Sequence, residues 1–169
     1  MIALDASVVI SLLESGHIHA DEAAEIMDTE EELILHPLTL SEILVGAIRN
    51  GSEQKVLSAI DRIGIETWVP DPGHARRIAR LRAETNLKLP DACVLDTALT
   101  QNASLATFDE RLVHAARTCG IEVFSLPQYG TALDPRSILA DIWDSQTQDD
   151  RQGVRDRTND LYDEKGLPV

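Results

Sequence analysis

Met1-Ile-Ala-Leu-Asp-Ala-Ser-Val-Val-Ile-Ser-Leu-Leu13 opens the chain and decides how the rest is read. Its first four residues are a short apolar run, the signature of a strand buried on both faces. Asp5 closes that run. Val8, Val9, Leu12 and Leu13 then recur at helical spacing. Strand, acid and helix in thirteen residues predict a unit of an α/β sheet, with the acid at the carboxyl end of its strand.

The same alternation continues outward. Strands are expected at about 2–5, 33–36, 66–69, 103–107 and 121–124, with helical patterns between them. Leu40, Ile43, Leu44 and Ala47 form one helical stripe. Val56, Ala59, Ile60 and Ile63 form another. Ile78 and Leu81 carry a helix entered through Pro70-Asp-Pro-Gly73, and Leu95, Ala98 and Leu99 carry the next. Leu112, Val113 and Ala116 carry a last one, ending near Gly120 as a C-cap. Strands separated by helices give a central parallel sheet of about five strands, flanked by helices in three α/β/α layers. Residues 1–130 form this domain. Residues 131–169 read as a polar extension, partly helical or flexible, because they offer few apolar anchors.

Four acids fall where such a sheet brings side chains together. Asp5 ends the first strand and Asp109 follows the fourth. Glu42 lies in the helix after the second, and Asp91 opens the helix at Pro90. Ligands of open α/β sheets bind beyond the carboxyl ends of the strands. Carboxylates converging there cannot all stay ionised without a cation, and a hard divalent metal is the first expectation. Each acid also has an ordinary explanation. Asp5 and Asp109 could cap helices, Thr39-Leu-Ser-Glu42 and Thr107-Phe-Asp-Glu110 are capping-box patterns, and Asp91 suits a first helical turn. The joint pattern favours a shared site, since Asp91 shares a face with apolar Leu95 and Ala98 while Glu42 points away from its own apolar stripe. Ser7 and Thr107 would support a carboxylate or a metal-bound water. Asp96, about 140° around the helix from Asp91, reads as solvated or facing a partner.

The net charge of −14 excludes a non-specific nucleic-acid coat. Arg76, Arg77, Arg80 and Arg82 are the one dense basic cluster, and Arg76, Arg80 and Arg82 are the candidates for gripping phosphate. Cys93 and Cys119 form no Cys-x-x-Cys, and the histidines are scattered, which argues against zinc. Free thiols, no apolar run long enough to span a bilayer and no basic leader predict a cytoplasmic protein with no membrane partner.

Leu4-Asp-Ala-Ser-Val-Val-Ile-Ser-Leu-Leu13 resembles the opening of a PIN domain, and Thr39-Leu-Ser-Glu-Ile-Leu-Val-Gly46 resembles its second motif. Leu81 to Leu95, with Lys88-Leu-Pro-Asp91 within it, is similar to the third motif as found in VapC-type toxins. Ala106-Thr-Phe-Asp-Glu-Arg-Leu112 resembles the fourth, Thr-x-Asp. The resemblance covers about residues 1–126. It implies a Mg²⁺- or Mn²⁺-dependent endoribonuclease, the toxin of a toxin–antitoxin pair, with Asp5, Glu42, Asp91 and Asp109 as its catalytic, metal-holding quartet. It further implies an RNA substrate, a cognate antitoxin and a homodimer. Two other readings compete. A catalytically silent PIN-like binding module would keep the quartet without cleaving RNA. An aspartate-based phosphoryl-transfer domain would want Asp-x-Asp after the first strand, where this chain has Asp5-Ala-Ser7.

Overall fold

A computed structural model of the protein describes residues 1–124, except Ser15 and Glu30. The expected extension from residue 131 lies outside the described residues. The element order is β1 (Ile2–Leu4), α1 (Ala6–Leu13), α2 (Ala20–Met27), β2 (Leu33–Leu35), α3 (Pro37–Arg49), α4 (Glu53–Ile63), β3 (Ile65–Thr67), α5 (His74–Thr85), α6 (Leu89–Gln101), β4 (Ser104–Ala106) and α7 (Glu110–Thr118). The strands are ordered β3-β2-β1-β4 and every pairing is parallel.

Period-two alternation sends the strand side chains to two helical layers. Ile2 and Leu4 of β1, Leu33 and Leu35 of β2 and Ala106 of β4 pack with α1, α2, α3 and α4. Ala3 and Ile34 pack with Ala98 of α6. Leu105 packs with α5, α6 and α7. Three residues per strand therefore suffice, because each is covered on its own face. The expected three-layer α/β/α architecture is what the chain adopts.

Two elements differ from expectation. The segment 121–124 is not a fifth strand. It meets the sheet at a single parallel bridge, Leu105 to Val123, where Leu105 N–H donates to the Glu122 carbonyl and Phe124 N–H to the Leu105 carbonyl. Three-residue β4 offers it one residue to pair with. Helix α2 is not among the elements expected from the sequence. Half of its buried face is alanine, Ala23 and Ala24 beside Ile26 and Met27. Alanine packs well against α1 but gives a weak periodic signal.

The register places the strand ends level. Leu4 pairs with Leu35 on one side and with Ala106 on the other. Asp5, His36 and Thr107 thus emerge together at the carboxyl edge. The chain runs from β1 outward to β2 and β3, then returns to β4 on the opposite side of β1. That reversal opens a crevice between β1 and β4, where such sheets hold ligands. Among the described residues, no helix is long and apolar enough to cross a membrane.

Candidate active site at the β1–β4 crevice

Asp5 occupies the N-cap position of α1, yet its carboxylate makes no cap hydrogen bond. It turns instead across the crevice. The Ser7 hydroxyl donates to Asp5 Oδ2 at 2.6 Å, and the Thr107 hydroxyl donates to the same oxygen at 2.8 Å. Each hydroxyl also accepts a backbone N–H, Ser7 from Phe108 at 3.1 Å and Thr107 from Asp109 at 3.0 Å. Two short side chains thereby tie Asp5, at 9% exposure, to the loop that carries Asp109. Charge-assisted bonds of this kind are worth about 1.5–3 kcal/mol each.

Glu42 is half-buried on α3, and Thr39-Leu-Ser-Glu42 is not a capping box. The helix begins earlier, at Pro37, and His36 is its N-cap, accepting the Leu38 N–H on Nδ1 at 2.9 Å. Pro37 supplies the preset first turn. Thr39 is consequently inside the helix and fully buried, and its hydroxyl has no partner among the described residues. Asp91 sits in the first turn of α6, half-buried, accepting a backbone hydrogen bond from Lys88. Asp109 is exposed and does cap its helix, since its Oδ1 accepts the N–H groups of Arg111 at 2.7 Å and Leu112 at 3.2 Å.

Electrostatics joins the four. Burial first, then the charges of Asp5 and Asp91, pushes the Glu42 carboxyl up to about 7, against the pull of Lys88. Burial, then Asp5 and Asp109, pushes the Asp91 carboxyl up to about 6, again opposed by Lys88. Each of the four is therefore the cause or the subject of another's displacement. Asp91 and Asp109 line an open cleft with Lys88, Asn86 and Arg111, while Asp5 and Glu42 lie outside its lining. The four carboxylates do not close into one tight shell. Among the described residues, three donor atoms lie within 4.8 Å of one another only at His36, His74 and Cys93. A hard cation fits the acidic set, because it relieves the repulsion and accepts oxygen ligands at varied spacing, with water filling the remainder.

Arg76, Arg80 and Arg82 are exposed on α5, and none of them lines the cleft. Arg82 donates to the Leu87 carbonyl at 3.3 Å. The bases that do line it are Lys88 and Arg111, which lie on separate elements and form no cluster in the sequence. Asp96 is not solvated. It is 1% exposed and holds Arg77 Nε at 2.7 Å and His74 Nδ1 at 2.7 Å. A buried carboxylate needs such partners, and the bidentate guanidinium supplies them. Cys93 is a buried free thiol, as expected, and Cys119 is free and half-buried.

The PIN domain family matches residues 2–118. The ribonuclease VapC29 of Mycobacterium tuberculosis is 25% identical over 118 residues, covering 67% of this chain and 89% of the relative. A toxin–antitoxin complex from Klebsiella pneumoniae contains a chain that superposes with a TM-score of 0.55 at 30% identity, covering 64% of this chain and 85% of that one. The fold, the level strand ends and the four motifs agree with these similarities: the chain belongs to the PIN domain family, and its relatives are of the VapC type.

Proposed function

We propose that this protein is a divalent-metal-dependent endoribonuclease acting as the toxin of a toxin–antitoxin pair. The observation that carries the reading is the gathering of Asp5, Glu42, Asp91 and Asp109 at one strand-end crevice, where burial and then like charge raise Glu42 (from Asp5 and Asp91) and Asp91 (from Asp5 and Asp109). Acids held in repulsion at a strand-end crevice are arranged for a cation rather than for the fold. Kinship with a protein named ribonuclease VapC29, and likeness to a chain of a toxin–antitoxin complex, support RNA as substrate and an antitoxin as partner.

A bound Mg²⁺ or Mn²⁺ ion would supply Lewis acidity at the scissile phosphate and lower the pKa of water. Asp5, Glu42, Asp91 and Asp109 are the residues that would hold it. Ser7 and Thr107 fix one oxygen of Asp5, so that carboxylate is oriented before any ligand arrives. Lys88 and Arg111 put positive charge on the rim of an otherwise acidic cleft, where an RNA phosphate would rest. Attack by water leaves 5′-phosphate and 3′-hydroxyl ends. Free cysteines and an RNA substrate support a cytoplasmic location.

The test is incubation of the full-length protein with total bacterial RNA, with Mg²⁺ or with chelator. Cleavage that needs the metal and vanishes in Asp91→Asn is expected, along with growth arrest on expression that the same substitution relieves. Absence of metal-dependent cleavage would refute the enzymatic reading and leave a silent PIN-like binding module.

A further inference from the structure

Behind the carboxylates lies a second polar cluster that the proposed chemistry does not use. Asp96 Oδ2 meets His74 Nδ1 at 2.7 Å, and His74 Nε2 meets His36 Nε2 at 2.9 Å. His36 Nδ1 accepts the Leu38 N–H at 2.9 Å. The protons in this chain can be assigned. A backbone N–H can only donate, so His36 Nδ1 carries no proton and its Nε2 does. His36 Nε2–H then donates to His74 Nε2, and His74 Nδ1–H donates to Asp96. Both rings are neutral. Burial above all holds the His36 ring well below its usual range, at about 4, in keeping with a neutral His36.

The chain of bonds joins three helices. Asp96 is on α6, five residues beyond Asp91, and its carboxylate is anchored further by Arg77. His74 opens α5. His36 caps α3, whose Glu42 lies six residues on, about 9 Å along the axis. Trp68 closes over both rings, with its centroid 5.9 Å from His36 and 5.3 Å from His74. Cys93, two residues past Asp91, has its thiol among the ring nitrogens and feels the charges of Asp96, Glu42 and Asp91. The cluster thus backs directly onto the acidic site.

His36, His74 and Cys93 have donor atoms spaced as in a soft-metal site, within 4.8 Å of one another. The proton inventory opposes that use. His36 Nε2 carries a proton, and burial pushes the Cys93 thiol up to about 11, so two of the three donors are occupied.

We propose that Asp96, His74 and His36 are positioning residues for the carboxylate site: their hydrogen-bonded chain fixes the N-terminus of α3 against α6 and so sets Glu42 against Asp91. This rests on the reading of the four acids as a cation site. Partners bonded directly to metal ligands cost about 10–100-fold in metal affinity when lost; this hydrogen-bonded chain acts one step further out, through the helices that carry Glu42 and Asp91, and the low end of that range is expected.

The test uses the full-length protein and Mn²⁺ as probe, with affinity measured by calorimetry beside the melting temperature. In His36→Asn the new side chain still accepts the Leu38 N–H as an N-cap, but it is too short to reach His74. Mn²⁺ affinity is expected to fall about tenfold while the melting temperature holds within a few degrees. His36→Ala loses the cap as well and should melt lower, with an affinity loss no smaller. A purely structural cluster would move the melting temperature and leave the affinity of the folded fraction alone. If the wild-type chain binds Mn²⁺ and His36→Asn binds it equally well, the positioning role is overturned and the cation site stands. If the wild-type chain binds no Mn²⁺, both are overturned. A thiolate-to-cobalt absorption band on adding Co²⁺, lost in Cys93→Ser, would overturn the proton assignment and make the cluster a metal site.

Discussion

Glu42→Gln should stabilise the metal-free protein at alkaline pH while destroying its affinity for metal. The glutamate titrates at an ordinary value near 4.5 when unfolded and is pushed up to about 7 in the fold. A folded-state pKa above the unfolded one means the native state binds the proton more tightly. Its relative stability is therefore complete below pH 4.5 and is lost as pH rises through 7. Taken whole, a displacement of that size corresponds to about 3 kcal/mol. Glu42 is only half-buried, and solvent screens the interaction, so about 1–2 kcal/mol is the reasonable expectation. Glutamine keeps the shape and removes the charge. Urea melts in chelator should show Glu42→Gln ahead of wild type by about that amount at pH 8 and level with it at pH 4. Mg²⁺ should raise the wild-type midpoint at pH 8 and leave the variant unmoved. A gain that is equal at both pH values would point to packing rather than charge. No gain at pH 8 would refute the claim that burial and the charges of Asp5 and Asp91 disfavour an ionised Glu42.

The same competition between protons and metal predicts that Mn²⁺ affinity rises by on the order of 100-fold from pH 5.5 to pH 8, if Glu42 at about 7 and Asp91 at about 6 must both ionise; a flat profile by calorimetry would count against their joint use. Asp5→Asn should abolish metal-dependent RNA cleavage with the circular dichroism spectrum retained, and full activity would remove Asp5 from the site. Thr39→Val should hold or raise stability by about 1 kcal/mol, because it deletes a buried hydroxyl that has no partner among the described residues; a clear loss would show that the hydroxyl is bonded in solution. Arg77→Ala should lower the melting temperature by on the order of 5 °C or more by stripping the buried Asp96 of its guanidinium; an unchanged melt would mean His74 alone suffices.

Much of the fold was legible because each strand is a short apolar run and the flanking helices carry a period near 3.6. What escaped had physical reasons. Helix α2 buries alanines, which pack without announcing themselves. The segment 121–124 has strand composition but finds one residue to pair with. The four acids were legible by position, though the helix-cap alternatives could not be decided from sequence. Their hydrogen bonds divide them: Asp5 holds the cap position but its carboxylate accepts from Ser7 and Thr107 instead, whereas Asp109 is a true cap whose charge still reaches Asp91. Thr39-Leu-Ser-Glu42 misled because Pro37 and His36 start the helix earlier, and a histidine cap is uncommon enough to be passed over. The basic cluster on α5 drew attention by density, yet Lys88 and Arg111 line the cleft.

Asp91 and Asp96 show how one helix uses the same residue type in opposite ways. Asp96 is the more buried; Arg77 neutralises it and His74 donates a hydrogen bond to it, so its charge is spent on fixing α6 against α5. Asp91 lies nearer to solvent, but Asp5 and Asp109 surround it with like charge and only Lys88 opposes them. Burial alone would have ranked Asp96 as the functional acid. The sign of the neighbours decides otherwise, because a compensated carboxylate has no electrostatic reason to take up a cation and a crowded one does. Five residues of helix separate the two, so rigidity gained at Asp96 is delivered to Asp91, and through His74 and His36 to Glu42 on α3. Loosening Asp96 should therefore weaken cation binding as well as lower the melting temperature, in a protein whose fold tolerates the repulsion at the crevice because the surrounding helices are held this firmly.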